Sequence, residues 1–212
     1  MTTVFEKKQP FPHLIIEDLY SAEELKLVWD ELRFLTQPGK LMDAAFFDAA
    51  WTTDSNGERV YYTNSKALIL DHIYSHRDMS NILMVNRKLF TNGYLKRFSE
   101  LAPYLVSANK TNWDLTKVRY YGDGAKYDPH TDVRFVCLAV SFFHKTPKKF
   151  DGGELYFPDH DYQYECPDNS MIVFPGFIKH GVNLVRCGEG PFSGSSRYSM
   201  TQFLGSYANI AS

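Results

Sequence analysis

The spacing of apolar and polar residues changes character partway along the chain. After a charged opening, Leu14-Ile15-Ile16 is a short apolar run that reads as a strand. Ser21 and Glu24 then make a capping box. A serine hydroxyl and a glutamate three residues on can satisfy two of the free N–H groups at a helix start. Behind them Leu25, Val28, Trp29, Leu32 and Leu35 recur at helical spacing, which predicts a helix over 22–35 ended by Gln37-Pro38-Gly39. Residues 44–50 are apolar, and polar residues with a glycine turn follow. The stretch 60–64 reads as a strand, and 65–74 as strand or loop. Ile82, Val85 and Leu89 predict a helix over 80–90 that continues or restarts over 91–99, before Pro103 breaks the pattern.

Beyond Asn112 the helical period gives way to a period of two. Residues 115–120 alternate as a strand does, and 134–143 is an apolar run of strand length. A charged turn over 147–153 precedes short strands at 154–157, 162–165, 170–174, 182–185 and 198–204. Short strands at regular spacing predict two packed antiparallel sheets. The expected fold is β-rich α+β, with a double-stranded β-helix (jelly roll) core over 113–206. Residues 1–112 supply a mostly helical cover with some strand, its helices packed on one sheet. All 212 residues form one domain, a length that supports a single sizeable core.

Composition adds little to this picture and removes several functions from it. Aromatic residues are 16% of the chain, which reinforces the strand prediction. A net charge of −2 gives no basic footprint for nucleic acid. Cys137, Cys166 and Cys187 are odd in number and widely spaced, so neither a disulfide framework nor a zinc site is expected, and a reducing compartment fits. The N-terminal residues lack an apolar signal core, and no apolar run approaches the roughly 18 residues of a membrane span. The expectation is a soluble cytoplasmic protein.

The candidate chemistry lies in the second half. His130-Thr131-Asp132 offers an imidazole and a carboxylate one residue apart, just before the apolar run at 134. On a strand, i and i+2 point the same way, which would aim both at one ion. His180 follows the turn Pro175-Gly176. Two histidines and a carboxylate are the facial donor set that holds a non-haem Fe(II) with open positions. Alone, His130-Thr131-Asp132 reads first as a surface turn, and His180 as a core or surface histidine. Arg197 opens a nearly uncharged strand, where it reads as a water-facing edge residue or as a fork for a carboxylate. His13, His72, His76, His144 and His160 have no comparable setting.

Taken together, these elements resemble the prolyl-4-hydroxylase-like branch of the Fe(II)/2-oxoglutarate-dependent dioxygenases. The matching features are the Tyr-x-x-x-Gly loop before His130-Thr131-Asp132, then Gly152-Gly153-Glu154-Leu155, then Phe174-Pro175-Gly176 through His180-Gly181-Val182, and finally Arg197-Tyr198-Ser199. They span roughly 118–204. The resemblance implies His130, Asp132 and His180 as iron ligands and Arg197 as partner of the distal carboxylate of 2-oxoglutarate. Tyr120, ten residues before His130, is implied to hold the co-substrate, against its reading as a core aromatic. Tyr127, Phe142, Leu155, Phe174, Val182 and Phe203 are implied as packing residues that also line the pocket.

The loop over 188–194 is longer than the family's tightest spacing and brings in Arg186 as a competitor to Arg197, which is preferred because it heads the Arg-Tyr-Ser match. The intact Asp132 favours hydroxylation over halogenation. The cofactors so implied are Fe(II), 2-oxoglutarate and O2, with ascorbate admitted as a further one, and succinate and CO2 as co-products. The implied substrate is a prolyl residue in a peptide or protein, with a free amino acid or other small metabolite as the alternative. A non-enzymatic jelly-roll binding module is the third reading. Segment 36–63 is a candidate lid, in which Trp51 reads first as core and second as an exposed ring that stacks on substrate.

Overall fold

The computed structural model describes residues 1–37, 39–47, 49–188 and 195–207. Pro38 of the predicted helix stop, and the predicted loop insertion past Gly188, lie outside them. The first half contains strands β1 (Thr3–Lys7) and β2 (His13–Glu17), helix α1 (Ala22–Leu35), strands β3 (Trp51–Thr53), β4 (Arg59–Tyr61) and β5 (Lys66–Ile69), and the short helices α2 (Asn81–Val85), α3 (Lys88–Thr91) and α4 (Tyr94–Ser99). The second half contains β6 (Trp113–Tyr121), β7 (Tyr127–His130), β8 (Cys137–Phe143), β9 (Asp151–Gly152), β10 (Leu155–Phe157), β11 (Tyr162–Tyr164), β12 (Ser170–Pro175), β13 (His180–Val182), β14 (Val185–Arg186) and β15 (Arg197–Gly205).

Seven strands pair in the order β1-β2-β12-β8-β15-β6-β5, and four in the order β11-β10-β13-β7. The larger sheet is buried on both faces, and the period of two divides its residues between two cores. Leu14 and Ile16 of β2, Val118 and Tyr120 of β6, Cys137, Ala139 and Phe143 of β8, and Tyr198, Met200 and Leu204 of β15 pack with Val28, Leu32 and Leu35 of α1 and with Leu83, Leu95 and Phe98 of the shorter helices. Their neighbours Ile15, Tyr121, Leu138, Val140, Phe142 and Phe203 point the other way. There they meet Leu155, Phe157, Tyr164 and Val182 of the small sheet. The helices thus cover one face of a jelly roll, and the other face closes on the second sheet.

Local chemistry explains the element ends. At α1, the Glu24 N–H donates to Ser21 Oγ at 3.3 Å and the Ser21 N–H donates to the Glu24 carboxylate at 2.8 Å. Such a cap stabilises a helix by about 1 kcal/mol. Buried Glu31 in turn accepts from the Ser80 hydroxyl and the Ile82 N–H, both at 2.8 Å, fixing the start of α2 against α1. The predicted helix over 80–90 is split between α2 and α3, and Pro103 opens a 3-10 helix, Pro103–Lys110, rather than ending structure there. Strand β1 was not foreseen. Its charged sequence is that of an edge strand, paired only with β2, with every residue but Val4 exposed. No described helix is long and apolar enough to cross a membrane.

Candidate metal centre

His130 is the last residue of β7 and His180 the first of β13, and the two are directly paired across the small sheet. Asp132 reaches them differently from the strand alternation expected of His-x-Asp. It lies in the turn after β7, not on a strand. Its N–H donates to the Gly176 carbonyl at 2.8 Å, and its own carbonyl accepts from Phe135 N–H at 3.0 Å. That approach requires a glycine. A Cβ on Gly176 would sit 2.4 Å from the Phe135 carbonyl oxygen and 2.6 Å from that of Asp132. The Pro175-Gly176 turn therefore sets the carboxylate's position.

The three side chains present one donor atom each within 4.8 Å of one another, an arrangement fit to hold a metal ion. Asp132 Oδ2 is 3.8 Å from His130 Nε2 and 3.5 Å from His180 Nε2. His130 Nδ1 lies 3.0 Å from the Asp128 carbonyl oxygen and His180 Nδ1 lies 2.9 Å from that of Ile178. A carbonyl only accepts, so each ring carries its proton on Nδ1 and turns the Nε2 lone pair toward Asp132. Burial, and then the neighbouring His180, push the His130 pKa down to about 3. Burial lowers that of His180 as well, against the raising effect of Asp132. Burial raises the Asp132 pKa, opposed by His180, Lys117 and Arg119. Two neutral imidazoles and one carboxylate sharing a face match a divalent cation in donor type and number. Tyr127 stacks on His130 at 3.9 Å between centroids, and Phe174 meets His180 edge-on at 4.9 Å, which fixes both rings.

A small cavity of about 40 Å³ opens beside this cluster. Arg197 lines it and is 2% exposed. Its Nε and Nη1 have no partner, and Nη2 makes only a long contact, 3.7 Å, to Cys166 Sγ. The guanidinium lies over Tyr121 and Phe142, at 4.6 and 5.1 Å from their centroids. A buried, half-satisfied guanidinium is costly unless a carboxylate joins it, so Arg197 offers a carboxylate in this cavity a partner. Arg186 is exposed and lies outside this cavity.

Of the predicted lining residues, Tyr127, Leu155, Val182 and Phe203 border the cavity. Phe142 and Phe174 stand behind it, against Arg197 and His180 respectively. Tyr120 is a correction. Adjacent strand residues face opposite sides, and Tyr120 falls on the helix side, 4.9 Å from the ring of Tyr198. Tyr121 is the tyrosine in the cavity. The signal was in the alternation itself, since Arg119 and Tyr121 share a face. Trp51 is a second correction. It is 44% exposed rather than core, and it borders a wider outer cavity of about 500 Å³ with Phe47, Lys117, Arg119 and Arg134. Sequence reasoning passed over Lys117 and Arg119, charged residues on a strand that points inward.

A jelly roll with two histidines and a carboxylate gathered at one end of its small sheet has the setting of a mononuclear metal centre. Residues 116–205, which include all three donors and Arg197, match the family model of the 2OG-Fe(II) oxygenase superfamily. That match spans under half of the chain, and with the fold it makes the chain similar to the 2-oxoglutarate-dependent Fe(II) oxygenases, in a prolyl-4-hydroxylase-like architecture. Fe(II) and 2-oxoglutarate are the metal and co-substrate of that class.

Among solved structures, the chain resembles a Pseudomonas putida prolyl-4-hydroxylase, with a TM-score of 0.55, 17% identity, and 92% of this chain and 93% of that one covered. It also resembles a viral collagen prolyl hydroxylase from Paramecium Bursaria Chlorella virus-1 in its 2OG complex, with a TM-score of 0.57, 12% identity, and 92% and 96% covered. A non-heme alpha-ketoglutarate-dependent epimerase, SnoN from nogalamycin biosynthesis, is similar too, with a TM-score of 0.54, 12% identity, and 94% and 82% covered. At these identities the likeness is one of fold, and it spans more than one reaction. No curated protein matches the chain.

Proposed function

We propose that the chain hydroxylates an unactivated C–H bond of its substrate, with His130, Asp132 and His180 holding Fe(II) and Arg197 binding the distal carboxylate of 2-oxoglutarate. One observation carries this reading. A neutral-His, neutral-His, carboxylate cluster and a buried guanidinium with two unpaired nitrogens open on the same cavity. When bound, the iron and 2-oxoglutarate supply O2 activation, with succinate and CO2 as the co-products.

The chain's own residues do the rest. Asp128 and Ile178 carbonyls hold the imidazoles in the tautomer that leaves Nε2 free. Arg197, set flat between Tyr121 and Phe142, fixes which end of the co-substrate lies deep. Leu155, Val182 and Phe203 supply apolar wall beside the charged groups of the inner cavity, which helps shield reactive chemistry from side reactions.

The resemblance to prolyl hydroxylases supports a prolyl residue in a peptide or protein as substrate, a reading by fold analogy. A free amino acid or other small metabolite is the second reading. It is favoured by the buried cations Lys117 and Arg119 in the outer cavity. The test is turnover of proline-containing peptides against free amino acids, with Fe(II) and 2-oxoglutarate present and product mass recorded. Addition of one oxygen atom to a probe supports hydroxylation. Succinate release with no oxidised product from any probe contradicts both substrate readings.

A further inference from the structure

Arg119 stands apart from the residues assigned so far. It lies mid-strand on β6, on the same face as Tyr121, and it lines both the inner and the outer cavity. It is 5% exposed. Among the described residues its side chain makes one hydrogen bond, from Nη1 to the Ser65 hydroxyl at 3.0 Å. The rings of Phe47 and Tyr127 flank the guanidinium, 5.0 and 4.7 Å away, and hold its plane. Among the described residues no carboxylate lies within 4.0 Å of it. Lys117, 8% exposed, lines the same outer cavity, and exposed Arg134 stands at the rim.

Asp132 is the acidic residue bordering that cavity, and it is committed to the metal cluster. With a divalent metal against Asp132, and with the two carboxylates of 2-oxoglutarate divided between the metal and Arg197, those charges sum to neutral. The buried cations Arg119 and Lys117 lie outside that sum. A cation this buried is stable only if a counter-charge arrives, and a planar, ring-clamped guanidinium matches a carboxylate in two parallel hydrogen bonds.

We propose that the outer cavity takes a substrate bearing a carboxylate, and that Arg119 pairs with it to orient the bond to be oxidised toward the metal. This rests on the oxygenase reading above and narrows its substrate class. The carboxylate belongs either to a free amino or other small acid or to an acidic side chain of a peptide, and the test separates the two.

The test is a calorimetric titration of the Mn(II)- and 2-oxoglutarate-loaded protein, kept free of oxygen, with matched probe pairs. One arm sets free amino acids against their amides. The other sets acetylated, amidated peptides with Glu or Asp against the same peptides with Gln or Asn. The expected result is at least about tenfold tighter binding of the acid in one arm, equivalent to about 1.4 kcal/mol. That preference should disappear in Arg119→Gln and be partly kept in Arg119→Lys. Equal binding of acid and amide throughout, or no binding by any acid, overturns the proposal. So does a preference that survives in a folded Arg119→Gln protein. Should that variant fail to fold, the wild-type acid-to-amide ratio decides. The underlying reading fails separately. It does so if wild-type protein with Fe(II) forms no succinate, a result the binding ratios do not depend on.

Discussion

At the scale of single residues, the account depends on which atoms face the cavity. Arg197 offers two unpaired buried nitrogens, whereas Arg186 is exposed. A charge-assisted hydrogen bond contributes about 1.5–3 kcal/mol, so Arg197→Ala should raise the 2-oxoglutarate concentration needed for half-maximal turnover by at least about tenfold. Arg186→Ala should leave it within about twofold. If Arg186→Ala has the large effect instead, the wrong arginine has been assigned. The tyrosines divide in the same way. Tyr120→Ala should lower stability by about 3–5 kcal/mol, as loss of a buried aromatic does, measured by urea unfolding. An unchanged unfolding midpoint would show that Tyr120 is not core.

Residue identity was more legible than residue direction. His130, Asp132, His180 and Arg197 were each visible in the sequence because their types and order are distinctive. Tyr120 falls on the helix side and its neighbour Tyr121 on the cavity side, because a one-residue shift on a strand reverses the face while leaving composition unchanged. Lys117 and Arg119 were overlooked because β6 is buried on both faces, where alternation of polar and apolar residues no longer marks inside from outside.

At the scale of elements, the donors are placed by the ends of strands and the turn between them. Two strand ends supply the histidines, and the turn at Pro175-Gly176 supplies the approach that fixes Asp132. Gly176→Ala should therefore weaken Fe(II) binding by about 10–100-fold, the usual cost of disturbing a ligand's support. Equilibrium dialysis would check this, and wild-type affinity would refute the positioning role. Gly153 acts on the co-substrate side. Its φ is +78°, and a Cβ there would lie 2.7 Å from Arg197 Cδ. Gly153→Ala should raise the 2-oxoglutarate requirement in the same direction as Arg197→Ala.

The same scale explains which elements the sequence revealed. Helix α1 matched its predicted bounds because cap, period and stop signals agreed. β3 and β7 were missed because each is short and paired only locally or at a sheet edge, with no alternation long enough to detect.

At the scale of the molecule, two buried histidines and the half-buried His130 tie stability to pH. Desolvation lowers the proton affinity of His13, His130 and His180 in the folded chain. The unfolded chain therefore binds these protons more readily. Their contribution is full above the ordinary histidine value of 6.5 and is lost as pH falls toward the depressed folded values, about 3 for His130. Metal-free protein should lose stability between about pH 7.5 and about pH 5 in urea unfolding. Asp71, Asp132 and Asp168, whose pKa values burial raises, act in the opposite sense at lower pH. A His13→Asn variant isolates one histidine, and its fall over this window should be shallower than that of wild type. An equally steep fall would contradict the burial of a neutral His13. The two-core architecture was legible from the chain because runs of short strands admit few arrangements. The division of each strand between helix side and cavity side was not legible, because both sides are apolar.

The central claim is that His130, Asp132 and His180 hold an iron that oxidises 2-oxoglutarate. The most direct measurement is succinate formation by purified protein with Fe(II), 2-oxoglutarate and O2, for wild type, His130→Ala and Asp132→Ala side by side. The prediction is Fe(II)-dependent succinate from wild type and none above background from either variant. No succinate from wild type, or undiminished succinate from either variant, would contradict it.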